Sequence, residues 1–182
     1  MLPHRLTPEI TLRLLQPHHT DALFDLTDRN REDLRRWLPW LDSTRSPDDT
    51  RDFIRATLDT FARTGAFTCG IWHHTNLCGV IGFNTLDRQN RSARIGYWLD
   101  AQHRGKGIMT ACCRALVDHA FSELDLHRIV IAVATDNHAS QAIPERLGFT
   151  KESVQRDAER LYDRFVDHTI NVLLRPDAQA GR

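Results

Sequence analysis

Gln102-His103-Arg104-Gly105-Lys106-Gly107-Ile108-Met109 is the stretch on which the reading of the chain turns. Upstream, Ser92 to Leu99 is rich in β-branched and aromatic residues; downstream, Met109, Cys113, Leu116 and Ala120 recur at helical spacing beside Ile108 and Cys112. A strand therefore runs through a glycine turn into a helix. Such a turn leaves the first helical N–H groups without partners and adds about half a positive charge from the helix dipole. It also lets a phosphate come close to a backbone that has no Cβ. Those are the requirements of a pyrophosphate cradle, although two glycines placed for turn geometry beside two solvated cations would read the same way. The stretch contains no Gly-x-x-x-x-Gly-Lys-Ser/Thr, and Gly105-x-Gly107 lacks the third glycine of a dinucleotide fingerprint. Both absences disfavour a nucleotide triphosphatase and a Rossmann dehydrogenase.

Composition narrows the field further. A chain of 182 residues is the size of one domain with a full core. Its 41% hydrophobic and 26% charged residues are ordinary for a soluble globular protein. A formal net charge of +0 argues against a nucleic-acid partner. No apolar run approaches the ~20 residues of a membrane helix, and Met1 to Glu9 has no apolar signal-peptide core, so a cytoplasmic protein without a membrane partner is expected. Cys69, Cys78, Cys112 and Cys113 fall in strand-like or amphipathic segments without zinc-type spacing and read as reduced core thiols. His18-His19 and His73-His74 lack a companion carboxylate or cysteine at ligand spacing, so no metal is expected.

In chain order, Thr11 to Leu15 reads as a strand, followed by helices from His19 to Arg29 and from Arg31 to the Trp37 region, the latter ending before Pro39. Ser46-Pro47-Asp48-Asp49 starts a third helix whose buried stripe is Ile54, Thr57, Leu58 and Phe61, and Gly65 stops it. Phe67 to His74, Leu77 to Leu86 and Ser92 to Leu99 form an antiparallel meander, with Gly96 marking a bulge. After the helix from Lys106 to Glu123, Arg128 to Thr135 reads as a strand buried on both faces, lying parallel to Ser92 to Leu99 through a right-handed crossover. A short helix from His138 to Leu147 contains Pro144, and strands from Phe149 to Arg160 and Arg164 to Leu174 close the fold. A disordered tail is expected over 176–182. The class is α/β with a mixed, mostly antiparallel sheet and flanking helices.

Gln102-x-x-Gly105-x-Gly107 resembles the acetyl-CoA pyrophosphate motif of the GNAT superfamily of acyl-CoA-dependent N-acyltransferases. Trp37-Leu38-Pro39-Trp40, Ile95-Gly96-Tyr97-Trp98-Leu99-Asp100, Asp136-Asn137-His138-Ala139-Ser140, Leu147-Gly148-Phe149 and Phe165-Val166-Asp167-His168 are similar, in order, to its RimJ/RimL-type branch. That branch holds the ribosomal-protein N-terminal acetyltransferases, including the serine type. The resemblance spans nearly the whole chain. It implies a single GNAT domain over 1–182, a parallel strand pair that splays apart with pantetheine in the gap, and acetyl-CoA as co-substrate without a metal.

The resemblance also implies residue roles. The backbone of His103, Arg104, Gly105, Lys106, Gly107, Ile108 and Met109 holds the cofactor, with Gln102 as the motif's first position and Arg104 and Lys106 neutralising phosphate. An N–H at Trp98 or Leu99 receives the oxyanion. Asn137 caps the short helix and contacts the cofactor. Ser140, at the position where the RimL-like branch has a serine, supplies the thiolate's proton, the tyrosine that many relatives use further along this helix being Pro144 here; its competing reading is a helix-start residue bonded to backbone. Glu159 is the candidate base, against an exposed carboxylate paired with Arg156 or Arg160. An α-amine, with a pKa of ~7.7–8.0 against ~10.4 for lysine, is the acceptor a weak base suits best. Trp37 and Trp40 are candidate walls of an acceptor groove. Arg94, if it faces that groove, would favour an acidic acceptor. The expected activity is acetyl transfer to a protein N-terminal amine. The alternatives are a small amine (aminoglycoside, polyamine or amino acid) and a CoA-binding sensor without turnover. A homodimer is left open.

Overall fold

The computed structural model describes residues 4–175, so the tail expected over 176–182 lies outside the described residues. The chain begins with β1 (His4–Arg5) and β2 (Ile10–Leu14), then α1 (Thr20–Arg29) and α2 (Arg31–Arg35). The second helix stops short of Trp37: Leu38, ahead of Pro39, is extended, and Pro39–Ser43 forms a 3-10 turn. Helix α3 (Pro47–Thr64) starts at a reciprocal cap, in which Ser46 Oγ accepts from the Asp49 N–H and the Asp49 carboxylate accepts from the Ser46 N–H at 2.8 Å. It ends at Gly65 with φ 82°, where a glycine tolerates the left-handed turn. Its buried stripe is narrower than expected: Ile54 is fully buried, but Phe61 is 41% exposed and meets Phe67 edge-on.

The remaining elements are β3 (Thr68–His73), β4 (Asn76–Asp87), β5 (Ser92–Leu99), α4 (Ile108–Ser122), β6 (Arg128–Ala134), α5 (His138–Arg146), β7 (Thr150–Leu161) and β8 (Arg164–Leu174). They complete one eight-stranded sheet in the order β1-β2-β3-β4-β5-β6-β8-β7. Among the described residues only β5 and β6 pair in parallel. The bulge expected at Gly96 lies instead on the neighbouring strand: Phe83 pairs with Ile95 and Thr85 with Arg94, leaving Asn84 as the extra residue. Gly96 makes room for it, since a Cβ there would sit 2.4 Å from the Asn84 amide nitrogen. Strand β6 is not buried on both faces as expected. Ile129, Ile131 and Val133 are buried and alternate with half-buried residues.

Alternation gives the sheet two faces. On one, Ala93, Ile95 and Leu99 of β5 and Ile129, Ile131 and Val133 of β6 pack with Met109, Cys112, Cys113, Leu116 and Ala120 of α4. On the other, Trp72 and Val80 pack with Leu23 and Leu26 of α1 and Ile54 of α3. All four cysteines are free and buried, as expected. Burial pushes the Cys78 thiol up to about 11 and those of Cys69 and Cys112 up to about 12.

Candidate active site

Strands β5 and β6 pair only from Ser92/Arg128 to Arg94/Val130. Beyond that point β6 continues with β8 and β5 with β4, so residues 95–99 and 131–134 face each other without a ladder. The parallel pair is splayed. Every second N–H of β5 along the gap points where no strand receives it. A cavity of about 1010 Å³ occupies this opening, lined by Tyr97, Ile108, Asn137 and Ser140 toward α4 and α5 and by Trp37, Leu38 and Trp98 toward α2. The gap therefore connects the two faces of the sheet.

At the mouth of the gap the chain turns through Gly105 (φ 73°) and Gly107 (φ 74°) into α4. An added Cβ at either glycine would meet nothing within 4 Å, so the left-handed turn and the space beside it are both open. The first backbone bond into the helix is Ala111 N–H to Gly107 C=O at 3.0 Å. Among the described residues, the N–H groups from Gly105 to Thr110 have no backbone acceptor outside the helix. A ring of free donors around a backbone without side chains, opening into a long cavity, fits the pyrophosphate and pantetheine of a CoA thioester.

The loop leading to this cradle hangs on Asp100, which is 2% exposed. Its carboxylate accepts from His103 Nδ1 at 3.0 Å, from Arg29 at 3.4 Å and from the Gln102 N–H at 3.4 Å, while Asn30 Oδ1 accepts from the Ala101 N–H at 3.1 Å. Burial alone would raise the Asp100 pKa, but the bonds from His103 and its other partners outweigh it and hold the carboxyl below its ordinary value.

Of the expected cofactor residues, Trp98, Leu99, His103, Arg104, Gly105, Gly107, Ile108, Met109 and Asn137 line the cavity, together with Ser140 and Trp37. Gln102 and Lys106 are exposed and lie outside its lining. Arg104 does line it, but its guanidinium is paired with Asp33 and donates to the Leu99 carbonyl at 3.3 Å. Its charge is thus partly committed to α2. Arg114 on α4 and Arg146 on α5, which sequence reasoning passed over, line the cavity without ion-pair partners among the described residues. Helical spacing from Gly107 would have found Arg114.

Asn137 caps α5, its Oδ1 accepting from the Ser140 N–H at 3.2 Å. Ser140 Oγ donates to Tyr97 Oη at 3.2 Å, and Tyr97 Oη donates to the Ser140 carbonyl at 3.3 Å. Burial raises the Tyr97 hydroxyl well above an ordinary tyrosine. No sequence spacing signalled this pair, because 43 positions separate its members.

Register places the acceptor-side candidates. Arg94 pairs with Val130, Ala134 with His168, and Glu159 with Val166, so Arg94, Trp98, His168 and Glu159 share the sheet face opposite α4. Trp40, expected as a groove wall, lies behind Trp98 with ring centroids 6.5 Å apart and does not itself line the cavity. Glu159 pairs with neither Arg156 nor Arg160; its carboxylate lies 3.4 Å from His168 Nε2, and it stands outside the cavity lining. Arg94 is half-buried and has no ion pair among the described residues. Tyr162 Oη donates to the Leu38 carbonyl at 2.7 Å and its ring carries the Arg35 guanidinium 3.8 Å from the centroid, tying the β7–β8 turn to the Trp37–Trp40 loop.

One ground for setting metal aside does not survive folding. The β2–β3 pairing brings Glu9 to His73 and His74, with ligand atoms within 4.8 Å of one another on the surface. None of the three lines the cavity, but the His73 ring stands edge-on to that of His103, which does, with centroids 5.3 Å apart.

A splayed parallel pair, a glycine cradle at a helix start and a cavity through the sheet define an acyl-CoA-dependent transferase. Residues 9–150 match the model of the acetyltransferase (GNAT) domain, and the chain belongs to that family. It is 32% identical over 163 residues to the ribosomal-protein-serine acetyltransferase of Escherichia coli, covering 90% of this chain and 91% of that one. RimL, a ribosomal α-N-protein acetyltransferase solved with coenzyme A, superposes with a TM-score of 0.90 at 31% identity over 93% of this chain and 96% of its own. The microcin C7 self-immunity acetyltransferase MccE, solved with acetyl-CoA and AMP, does so with a TM-score of 0.89 at 30% identity, over 93% of this chain and 94% of that one. The protein is an acetyl-CoA-dependent N-acetyltransferase whose co-substrate is acetyl-CoA and whose chemistry uses no metal. Among the described residues no helix is long and apolar enough to cross a membrane.

Proposed function

We propose that the protein acetylates the N-terminal α-amine of a cytoplasmic protein, a ribosomal protein foremost, and that residues 1–182 act as a single GNAT domain. The observation that carries this reading is the gap between β5 and β6. It leads from the glycine cradle to the face bearing Trp98, Arg94, His168 and Glu159. Acetyl-CoA supplies the thioester. The cradle from His103 to Met109 holds its phosphates, Arg114 and Arg146 add positive charge, and Asn137 contacts it at the start of α5. The Leu99 N–H, which points away from β4, takes the tetrahedral oxyanion, whereas the Trp98 N–H faces Val80 in the β4 ladder. Glu159, steadied by His168, draws the amine's proton through water, and Ser140 serves the departing thiolate. Trp37 and Trp40, the latter through its contact with Trp98, wall the acceptor groove, and Arg94 on the same face favours acidic residues behind the reacting amine. The ribosomal-protein acetyltransferases among its relatives support this reading.

The test is CoA release with two peptides, one beginning Ser or Ala with acids downstream, the other N-terminally blocked with an internal lysine. The first is turned over and the second is not, and Arg94→Ala raises KM for the acidic peptide more than for a neutral copy. Equal turnover of the blocked lysine peptide refutes the N-terminal assignment. A small amine is the second reading, favoured by the aromatic walls and by the likeness to MccE, whose complex contains AMP. Activity confined to small amines would establish it.

A further inference from the structure

Helix α5 carries a proline at its center of function, since Pro144 follows Ser140 by four residues. In an unbroken α-helix the Ser140 carbonyl would accept the N–H of residue 144, and proline has none. That carbonyl is instead the acceptor of the Tyr97 hydroxyl at 3.3 Å, while Ser140 Oγ donates back to Tyr97 Oη at 3.2 Å. Both side chains line the cavity between the splayed strands. Pro144 thus vacates the acceptor site that lets a tyrosine from β5 lock onto the first turn of α5.

We propose that Tyr97 and Ser140 form a two-hydroxyl donor that stabilises the departing thiolate as an anion, with Tyr97 as the positioning residue and no net proton transfer from either hydroxyl. This rests on the assignment of Ser140 to the leaving group. Both hydrogens rotate without any heavy atom moving. When the tetrahedral intermediate collapses, the C–S bond breaks and its electron pair goes to sulfur. Ser140 then turns its O–H from Tyr97 to that sulfur, and Tyr97 turns its O–H from the Ser140 carbonyl to Ser140 Oγ. Each bond in the chain polarises the next. The amine's proton passes to the base and later to the thiolate, so charge and atoms balance.

Acidities decide against a proton relay. A free thiol has a pKa of ~8.5 and an ordinary tyrosine ~10, so passing Tyr97's proton through Ser140 to sulfur would run uphill even before burial raises Tyr97 further. A thiolate needs no proton to leave, only compensation for its charge.

The experiment is a cycle of Tyr97→Phe, Ser140→Ala and the double variant, following thiol release with an N-terminal Ser peptide and with a small amine. Each single variant is expected to lose about tenfold in kcat, the lower end for one hydrogen bond to a charged group. KM for acetyl-CoA should stay within twofold, and the double variant should lose little more than Ser140→Ala alone. The kcat profile from pH 7 to 9.5 should keep the parent's shape, because no proton leaves either hydroxyl. Ser140→Thr, which keeps a hydroxyl, should retain most of the rate. Multiplicative losses in the double variant, or parent rate in Tyr97→Phe, overturn the pairing. A basic limb in the parent that disappears in either variant shows proton donation and overturns the anionic route. The losses should appear with whichever amine the parent turns over, so failure of the N-terminal acceptor assignment is read separately from failure of this one.

Discussion

Replacing Gly107 with alanine separates the two demands the turn makes. In the folded protein the cost is backbone strain alone: the residue sits at φ 74°, and a Cβ there meets nothing within 4 Å. A non-glycine residue in the left-handed region costs ~1–2 kcal/mol, so the variant should fold with slightly reduced stability. Cofactor binding has more to lose, because the same Cβ projects beside the donors proposed to face the phosphates. Displacing one charge-assisted hydrogen bond forfeits ~1.5–3 kcal/mol, or about 10- to 150-fold in Kd. Gly148 is the matched control, with φ 80° and equally open surroundings but no place in the cavity lining. Gly148→Ala should lose the same stability and keep its affinity. Calorimetric titration with acetyl-CoA, alongside thermal unfolding of all three proteins, gives both quantities. A folded Gly107→Ala protein with a Kd within twofold of the parent refutes the cradle.

Two further outcomes follow from the same structure. Glu159→Gln should lower kcat by about 10²-fold, the lower end of general-base effects, and leave KM for acetyl-CoA unchanged, with the residual rate rising with the neutral fraction of the amine; a parent-like rate would mean that positioning alone suffices. Asp100, whose carboxyl titrates below its ordinary value, contributes stability that is present above the unfolded pKa of ~3.9 and is lost as pH falls through the lower folded pKa. Asp100→Asn should therefore cost ~1.5–3 kcal/mol at pH 7 and progressively less below about pH 4, where melting curves of the two proteins should converge; a constant difference would contradict the ionic role.

Much of this was legible before folding. The strand-glycine-helix junction needed only the spacing of Gly105 and Gly107 and the apolar repeat after them, and Ser46 to Asp49 announced a helix start in local chemistry. What stayed hidden was set by pairing across the sheet. The extra residue at Asn84 leaves no mark on its own strand's pattern and was misassigned to Gly96, the residue that accommodates it. Glu9 becomes a neighbour of His73 and His74 only through the β2–β3 register, where the sequence shows two isolated histidines. Arg104 reads as a phosphate cation until α2 presents Asp33 to it. Pro144 reads as a defect until Tyr97 arrives from β5.

The placement of the thiols bears on how such an enzyme weathers oxidative stress. A related RimL structure holds coenzyme A in a disulfide with one of the protein's own cysteines. In this chain Cys69, Cys78, Cys112 and Cys113 are all buried, none lines the cavity, and burial keeps their thiols protonated at neutral pH. A mixed disulfide requires an accessible thiolate, so the spent cofactor has no sulfur here to bond to. Inhibition by oxidised coenzyme A should therefore be reversed by washing the ligand out, without a reductant.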